Sequence, residues 1–465
     1  MTIFALSSGR GRAGIAVVRF SGPAAGEALR RLSGGAVPPP RVAARRRFVD
    51  PATGAAIDEG LALWFPAPHS YTGEDLAELH VHGGLAVVNA LVEALAALPG
   101  LRPAEPGEFT RRAYLNGKLD LTQAEAVADL VEAETEAQRR QALRQMDGVL
   151  GTLYEGWRGE LMGALAHLEA AIEFPDEDLP EAISREVHRN IGALIEQLTQ
   201  HLDDGRRGER LREGLYITIV GAPNVGKSSL LNALARRPAA IVAATAGTTR
   251  DVIEVHLDLG GFPVLVADTA GLREAGDTAG DAGEDAVEVE GMRRALARAA
   301  AADLKIAMFE APSWPRVDAR TAALVDRDTI VVLNKADLRP LEAPLGGPLT
   351  GPLTGPLEVA GEPALALSVL EGSGMEAFLE RREAAVSARV DLAAPPALTR
   401  ARHRQALESC LASLRRFGAA GAPELAPELA AEDLRLAARA LGRITGRVDV
   451  EDILDIVFRD FCIGK

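Results

Sequence analysis

The sequence predicts a multidomain chain of mixed α/β and α class, and three observations carry that expectation. A glycine-rich phosphate-binding loop stands mid-chain between an apolar run and a helix-like run. Residues 1–118 contain short β-like runs broken by Gly/Pro-rich turns, the pattern of a small α+β domain. Ala/Leu/Glu-rich stretches with helical periodicity fill 119–213 and recur across 380–465, on either side of a nucleotide-binding segment at 214–379. With 465 residues the chain is too long for one core.

Composition narrows the class further. A hydrophobic content of 47% describes a folded chain. The net charge of −15 argues against a broad basic nucleic-acid surface, while leaving room for local patches. Two cysteines, Cys410 and Cys462, make neither a disulfide framework nor a zinc cluster, which points to a reducing compartment. No apolar run approaches the ~18 residues of a membrane span, and no basic segment precedes the short apolar run at the N-terminus. The expectation is a soluble, cytoplasmic protein that does not meet a membrane.

In the first segment, strands are expected at Ile3–Leu6, Ile15–Phe20, Leu61–Phe65 and Leu76–His82, and helices at 23–32 and 85–98. His80 and His82 share one face of a strand. No cysteine or carboxylate cluster completes a metal ligand set, so they read as strand residues beside the Gly83-Gly84 turn. On spacing alone Arg19, Glu78 and Lys118 read as solvated surface charges.

The helical block runs from Leu119 to Phe174, with Thr122-Gln-Ala-Glu125 as its expected cap and Pro175 as its stop. An acidic turn, Asp176-Glu-Asp178, follows, and an amphipathic run covers 184–212. Helical runs return near 398–417, 428–443 and 449–462. The two blocks are either separate domains or halves of one domain interrupted by the central segment; a single helical domain is favoured, because such helices need partners for their apolar stripes.

The central loop is Gly221-Ala-Pro-Asn-Val-Gly-Lys-Ser228, after Leu215–Val220 and before Ser229–Ala235. Strand, glycine-rich turn and helix are the setting in which backbone N–H groups and a helix N-terminus cradle phosphates. Lys227 can reach the outer phosphates and the Ser228 hydroxyl can ligate Mg²⁺. Downstream come Gly247-Thr-Thr-Arg-Asp251, Asp268-Thr-Ala-Gly271, Asn334-Lys-Ala-Asp337 and Ala366-Leu-Ser368-Val369. A switch threonine, a strand-end aspartate for the Mg²⁺ shell, and a carboxylate at Asp337 that accepts guanine N1–H and N2–H narrow the ligand to GTP. Leu272 stands where Ras-type GTPases carry a water-orienting glutamine, and it cannot hydrogen-bond a water. Glu288 and Glu290 are equal candidates for supplying that function. The stretches 274–286 and 347–357 are low-complexity surface insertions.

Over nearly its full length the chain resembles the MnmE (TrmE) family of tRNA-modifying GTPases. The stretches that carry this are Gly9-Arg-Gly11, Val17-Val-Arg19-Phe-Ser-Gly22, Ser70-Tyr-Thr-Gly-Glu-Asp75, His82-Gly-Gly84, Pro106-Gly-Glu-Phe109, Asn116-Gly-Lys118-Leu-Asp120, the five GTPase motifs and the terminal Phe461-Cys-Ile-Gly-Lys465. The resemblance implies an N-terminal tetrahydrofolate-binding and dimerising domain, and one helical domain split by an inserted, Ras-like P-loop GTPase domain. It implies that Arg19, Glu78, Lys118 and Lys465 bind a 5-formyl- or methylene-tetrahydrofolate. GTP contacts are implied for Asn224, Val225, Gly226, Lys227, Ser228, Ser229, Ala243, Thr245, Gly247, Thr248, Thr249, Asp268, Thr269, Ala270, Gly271, Asn334, Lys335, Asp337 and Ser368. Mg²⁺ would sit on Ser228 and Thr249, and K⁺ on Asn224, Ala243, Thr245 and Thr248. Glu288 matches the water-organising glutamate, and Cys462 is a candidate for direct chemistry or a small buried hydrophobe. The implied partners are a second copy of the chain, tRNA, and the FAD-dependent MnmG (GidA) in a heterotetrameric complex. Together they would add a carboxymethylaminomethyl or aminomethyl group to C5 of the wobble uridine. Arg45-Arg-Arg47 and Arg400-Ala-Arg-His-Arg404 are candidate local tRNA contacts. The competing class is a GTPase switch in ribosome assembly or signalling without folate chemistry.

Overall fold

The structure, a computed structural model, describes residues 1–9, 11–174, 181–235, 240–241, 254–268, 302–338, 357–387, 398–419, 427–448, 451–459 and 461–464. The chain forms two compact units. One comprises Met1–Val131, Leu143–Thr199 and Gln405–Lys465; the other comprises Glu132–Ala142 and Gln200–Arg404.

The first unit opens with a six-stranded sheet. Its strands are β1 (Thr2–Leu6), β2 (Ala13–Ser21), β3 (Ala44–Val49), β4 (Ala56–Phe65), β5 (Leu76–Gly83) and β6 (Leu101–Pro103), in the order β3-β4-β5-β2-β1-β6. Helices α1 (Ala25–Ser33) and α2 (Leu85–Ala96) cover one face. Strand alternation sorts the side chains: Phe4, Val18, Phe20 and Leu79 enter the core with Leu29 and Leu91. Arg19 and Glu78 fall on the opposite face, where Phe109 of α3 (Glu108–Leu115) clusters with Ile3 and Ala5.

β3, β6 and α3 are absent from the periodicity-based expectation. β3 is an edge strand in which Phe48 is buried while Arg45, Arg46 and Arg47 precede it, so no apolar alternation marks it. Charges on a sheet edge discourage pairing with other chains. Arg45 also pairs with Glu59 of β4 at 2.6 Å.

The helical part of this unit includes α4 (Leu121–Glu132), the end of α5 (Glu136–Met146) from Leu143 onward, α6 (Val149–Glu173) and most of α7 (Glu181–Leu202). The cap of α4 differs from the expectation. Asp120 Oδ1 accepts from the Gln123 N–H at 2.9 Å, and Gln123 Oε1 accepts from the Asp120 N–H at 3.0 Å. That reciprocal pair is a capping box two residues earlier than Thr122/Glu125, both of which are buried inside the helix.

Past the nucleotide-binding segment, whose elements follow, the chain returns to this unit. On α6, Leu150, Tyr154, Trp157 and Leu161 are buried at helical spacing.

In the second unit, α8 (Arg207–Glu213) leads into β7 (Leu215–Gly221), α9 (Lys227–Ala235), β8 (Ala240–Ile241), β9 (Glu254–Leu259), β10 (Phe262–Asp268) and β11 (Leu304–Glu310). Then come α10 (Ala319–Ala322), β12 (Thr329–Asn334), β13 (Glu358–Val359), β14 (Glu362–Ala366) and α11 (Met375–Ser387). The sheet order is β13-β14-β12-β11-β7-β10-β9-β8. Strands β14, β12, β11, β7 and β10 are mutually parallel, and the inner strands β12, β11 and β7 are largely buried, as strands covered on both faces should be.

The last helices are α12 (Ala401–Ala419), α13 (Pro427–Thr445) and α14 (Glu451–Arg459). Arg435 of α13 pairs with Glu169 of α6 at 3.1 Å, and Thr445 donates to Glu155 of α6 at 2.5 Å. Helices from before and after the nucleotide-binding segment therefore pack against one another. Among the described residues no helix is long and apolar enough to cross a membrane.

Candidate functional site

Four of the motif stretches converge on one edge of the parallel sheet. The phosphate loop follows the C-terminal end of β7, Asp268 closes β10, Asn334 closes β12, and Ser368 lies two residues past β14. The crevice outside the carboxyl ends of parallel strands is where open α/β sheets bind ligands.

The loop is built by backbone geometry. Asn224 has φ 61° and Gly226 φ 105°, turning successive N–H groups inward. A Cβ at Gly226 would collide with the Asn334 side-chain amide, so glycine is required there on two counts. Lys227 Nζ donates to the carbonyls of Gly221 and Ala222 at 2.9 Å each, which holds the ammonium over the loop. Val225 is buried, whereas Asn224, Ser228 and Ser229 are exposed.

Asn334 ties the loop to the base-recognition side. Its Nδ2 donates to Val225 O at 2.8 Å, and its Oδ1 accepts from Val369 N–H at 3.2 Å. Lys335, with φ 64°, pairs with Glu310 at 2.5 Å. Ser368 is buried, its N–H bonded to Ser373 O at 2.9 Å, and Asp337 stands exposed. One polar side chain thus fixes the phosphate loop and the base loop together. Ala243, Thr245, Gly247, Thr248, Thr249, Asp251, Thr269, Ala270, Gly271, Leu272, Glu288 and Glu290 lie outside the described residues, as do Asp176–Asp178, 274–286 and 347–356.

A second constellation occupies the free face of the N-terminal sheet. Arg19 and Glu78 are cross-strand partners and form an ion pair at 2.8 Å, with side chains only 19% and 17% exposed. This overturns the reading of both as solvated charges. The guanidinium lies 5.6 Å from the Tyr71 ring and 5.7 Å from the Phe109 ring. Burial pushes the Tyr71 phenol above its ordinary pKa, against a hydrogen bond from Thr110 and the charge of Arg19. Lys118 is exposed and donates to Pro68 O at 3.2 Å. Sequence reasoning assigned no role to Tyr71 or Phe109, although both lie in stretches that carried the family resemblance.

His80 approaches Glu78 at 3.5 Å, while His82 bonds Asp58 at 2.9 Å. The chain's end reaches the same region. Ile463 bridges to Pro106, and Ser7 Oγ donates to Gly464 O at 3.0 Å. A Cβ at Gly464 would meet the Leu6 carbonyl, one residue from Ala5, the strand partner of Arg19. Lys465 is outside the described residues. Cys462 is exposed, so it is no buried hydrophobe; Cys410 is the buried thiol.

Within the candidate tRNA-contact stretch, Arg404 is engaged internally: it bonds Asp204 at 2.8 Å and Glu209 at 3.1 Å, and His403 beside it is fully buried.

The sheet order, the loop after β7 and the Asn334-centred brace define a P-loop guanine-nucleotide-binding domain, carried with an α+β domain and a helical domain. Two family profiles match the chain: MnmE helical domain over residues 121–462 and GTP-binding protein TrmE N-terminus over residues 2–118. The tRNA modification GTPase MnmE of Paramagnetospirillum magneticum is 56% identical over 464 residues, covering 100% of this chain and 99% of its own. The mitochondrial 5-taurinomethyluridine-tRNA synthase subunit of Homo sapiens is 49% identical over 481 residues, covering 100% and 93%. Among solved structures, the G domain of the T. maritima FeoB iron transporter aligns with 37% of this chain and 98% of its own at 18% identity, with a TM-score of 0.23. The chain belongs to the MnmE family of tRNA modification GTPases. It is a GTP-hydrolysing enzyme of tRNA modification.

Proposed function

We propose that the chain is a potassium-dependent GTPase that acts with a flavoprotein partner of the MnmG (GidA) kind. Its product would be a carboxymethylaminomethyl or aminomethyl group on C5 of the wobble uridine, position 34, of certain tRNAs. The domains assigned to this work are a folate-binding and dimerising segment at 1–118, a helical domain at 119–213 and 380–465, and the G domain at 214–379.

The observation that best supports this reading is the meeting of the chain's two ends. The Arg19–Glu78 pair and the Ile463–Gly464 tail share one region of the N-terminal sheet, a constellation outside the nucleotide-binding segment that a simple switch protein would not need. A partly exposed guanidinium beside two aromatic rings suits a ligand with carboxylates and a flat heterocycle. Arg19, Glu78, Lys118 and Lys465 would hold a reduced folate there, which when bound supplies the one-carbon unit. Cys462, exposed beside this region, is available as a reactive thiol.

In the G domain the phosphate loop, with Lys227, is arranged to hold GTP phosphates. Ser228 and Thr249 would hold Mg²⁺; Asn224, Ala243, Thr245 and Thr248 would hold K⁺. With Leu272 unable to orient water, Glu288 is assigned that role. G domains pairing within a homodimer would complete the site.

The test is mass spectrometry of tRNA nucleosides from a strain lacking the gene, complemented by the full chain or by one ending at Ile463. The full chain restores the wobble modification. The truncated chain leaves it absent while its GTPase rate stays close to that of the full chain. Restored modification by the truncated chain removes the folate-site assignment.

A further inference from the structure

Arg19 and Lys118 are far apart in sequence, yet one loop, 66–75, touches both. Its Tyr71 ring packs against the Arg19 guanidinium, and its Pro68 carbonyl accepts from Lys118. Asn116, two residues before Lys118, donates to Thr72 O at 2.7 Å.

The loop is fastened from beneath by charge. Arg112 donates to Glu74 at 2.8 Å, to Glu108 at 2.9 Å and to Met1 O at 3.0 Å. Ser21 Oγ on β2 shares a 2.7 Å hydrogen bond with Thr72 Oγ1. Tyr71 is fixed at both ends: its ring lies against Arg19, and its hydroxyl bonds Thr110 Oγ1 at 2.8 Å. A side chain held this way has little freedom left to lose, and it passes that rigidity to what it touches.

We propose that Tyr71 is a positioning residue for the reduced-folate site, holding the Arg19 guanidinium in one orientation so that it grips an anionic or heterocyclic ligand group without reordering. The proposal rests on the folate reading above. An unconstrained arginine loses rotamer freedom when it closes on a ligand; one already paired with Glu78 and lying against the Tyr71 and Phe109 rings has lost much of it beforehand. The ring matters more than the hydroxyl, because the ring carries the contact with Arg19.

The experiment measures calorimetric binding of 5-formyl-tetrahydrofolate to the full-length chain and to Arg19→Ala, Tyr71→Leu and Tyr71→Phe, with GTPase rates and thermal midpoints in parallel. The expected result is loss of binding in Arg19→Ala, roughly tenfold weaker binding in Tyr71→Leu, and binding within about twofold of the parent in Tyr71→Phe. Parent-like binding by Tyr71→Leu, with Arg19→Ala still defective, overturns the positioning role and leaves the folate reading standing. Equal losses in Tyr71→Leu and Tyr71→Phe with lowered thermal midpoints also overturn it, because the residue then serves only folding. A parent chain that does not bind, or an Arg19→Ala chain that binds normally, removes the folate reading and the proposal with it.

Discussion

Arg404 Nη2 donates to Asp204 Oδ1 at 2.8 Å, across 200 positions of sequence. Asp204 precedes β7, where the chain enters the nucleotide-binding segment, and Arg404 lies where it has just left. Arg404 also donates to the Leu202 carbonyl at 2.9 Å and to Glu209, while Leu398 N–H bonds the other Asp204 oxygen at 3.4 Å. The pair is 12% and 6% exposed. Burial alone would lower the Arg404 pKa; the two carboxylates outweigh it and raise the value.

Removing one member of such a pair strands the other charge. Arg404→Gln should cost about 3 kcal/mol of stability, and Asp204→Asn a similar amount. The double variant should cost clearly less than the sum, because the loss of the Arg404–Asp204 pairing is then counted once, while the loss of Arg404 from Glu209 is common to it and to Arg404→Gln. Urea unfolding of the four chains checks this; strict additivity would mean that the two residues act independently.

Asn224 carries the potassium argument. Its positive φ is one that asparagine tolerates better than most residues with a Cβ, and its side chain stands exposed within the phosphate loop. GTP turnover in KCl should exceed that in NaCl by at least tenfold. Asn224→Ala should bring the KCl rate down to the NaCl rate while GTP affinity changes little. Equal rates of the parent chain in both salts would sink the assignment.

Asp120 shows where the sequence was legible and where it was not. Helix α4 was readable from its periodicity, but its start was not. Thr122/Glu125 and Asp120/Gln123 both have capping-box composition, and burial of Thr122 and Glu125 decided between them. The same limit applies to Arg19, read as a solvated charge, and to Arg404, read as a candidate tRNA contact, because ion pairing across strands or across 200 residues leaves no periodic trace. Contiguous motifs such as Gly221–Ser228 were legible because their chemistry is local. Asp120→Ala should cost about 1 kcal/mol, and Asp120→Asn much less, since an asparagine oxygen still accepts from Gln123 N–H. Chemical denaturation reads both; equal losses would deny the cap.

The two thiols should behave differently. Burial pushes the Cys410 thiol up to about 12, so at neutral pH it is protonated and shielded. Cys462 is exposed near the chain's end. One thiol per chain should react with a disulfide reagent under native conditions, and two after unfolding. Cys462→Ser should abolish the native reaction. A fast second thiol in the folded parent would show that Cys410 is accessible.

Glu108 should shape the acid limb of stability. Burial opposes its charge, but Arg102 at 2.6 Å, the Glu105 N–H at 3.0 Å and Arg112 at 2.9 Å outweigh burial and hold its carboxyl below the ordinary value of 4.5. A depressed folded-state pKa contributes stability that is fully present above 4.5 and is lost as pH falls through the lower folded value. The parent chain should therefore lose stability steeply below 4.5, whereas Glu108→Gln should start lower at neutral pH and decline less. Its amide cannot neutralise Arg102 and Arg112, which accounts for the lower start. Urea midpoints taken from neutral pH downward give both slopes. Parallel acid limbs in the two chains would show that the proton taken up on acid unfolding goes elsewhere.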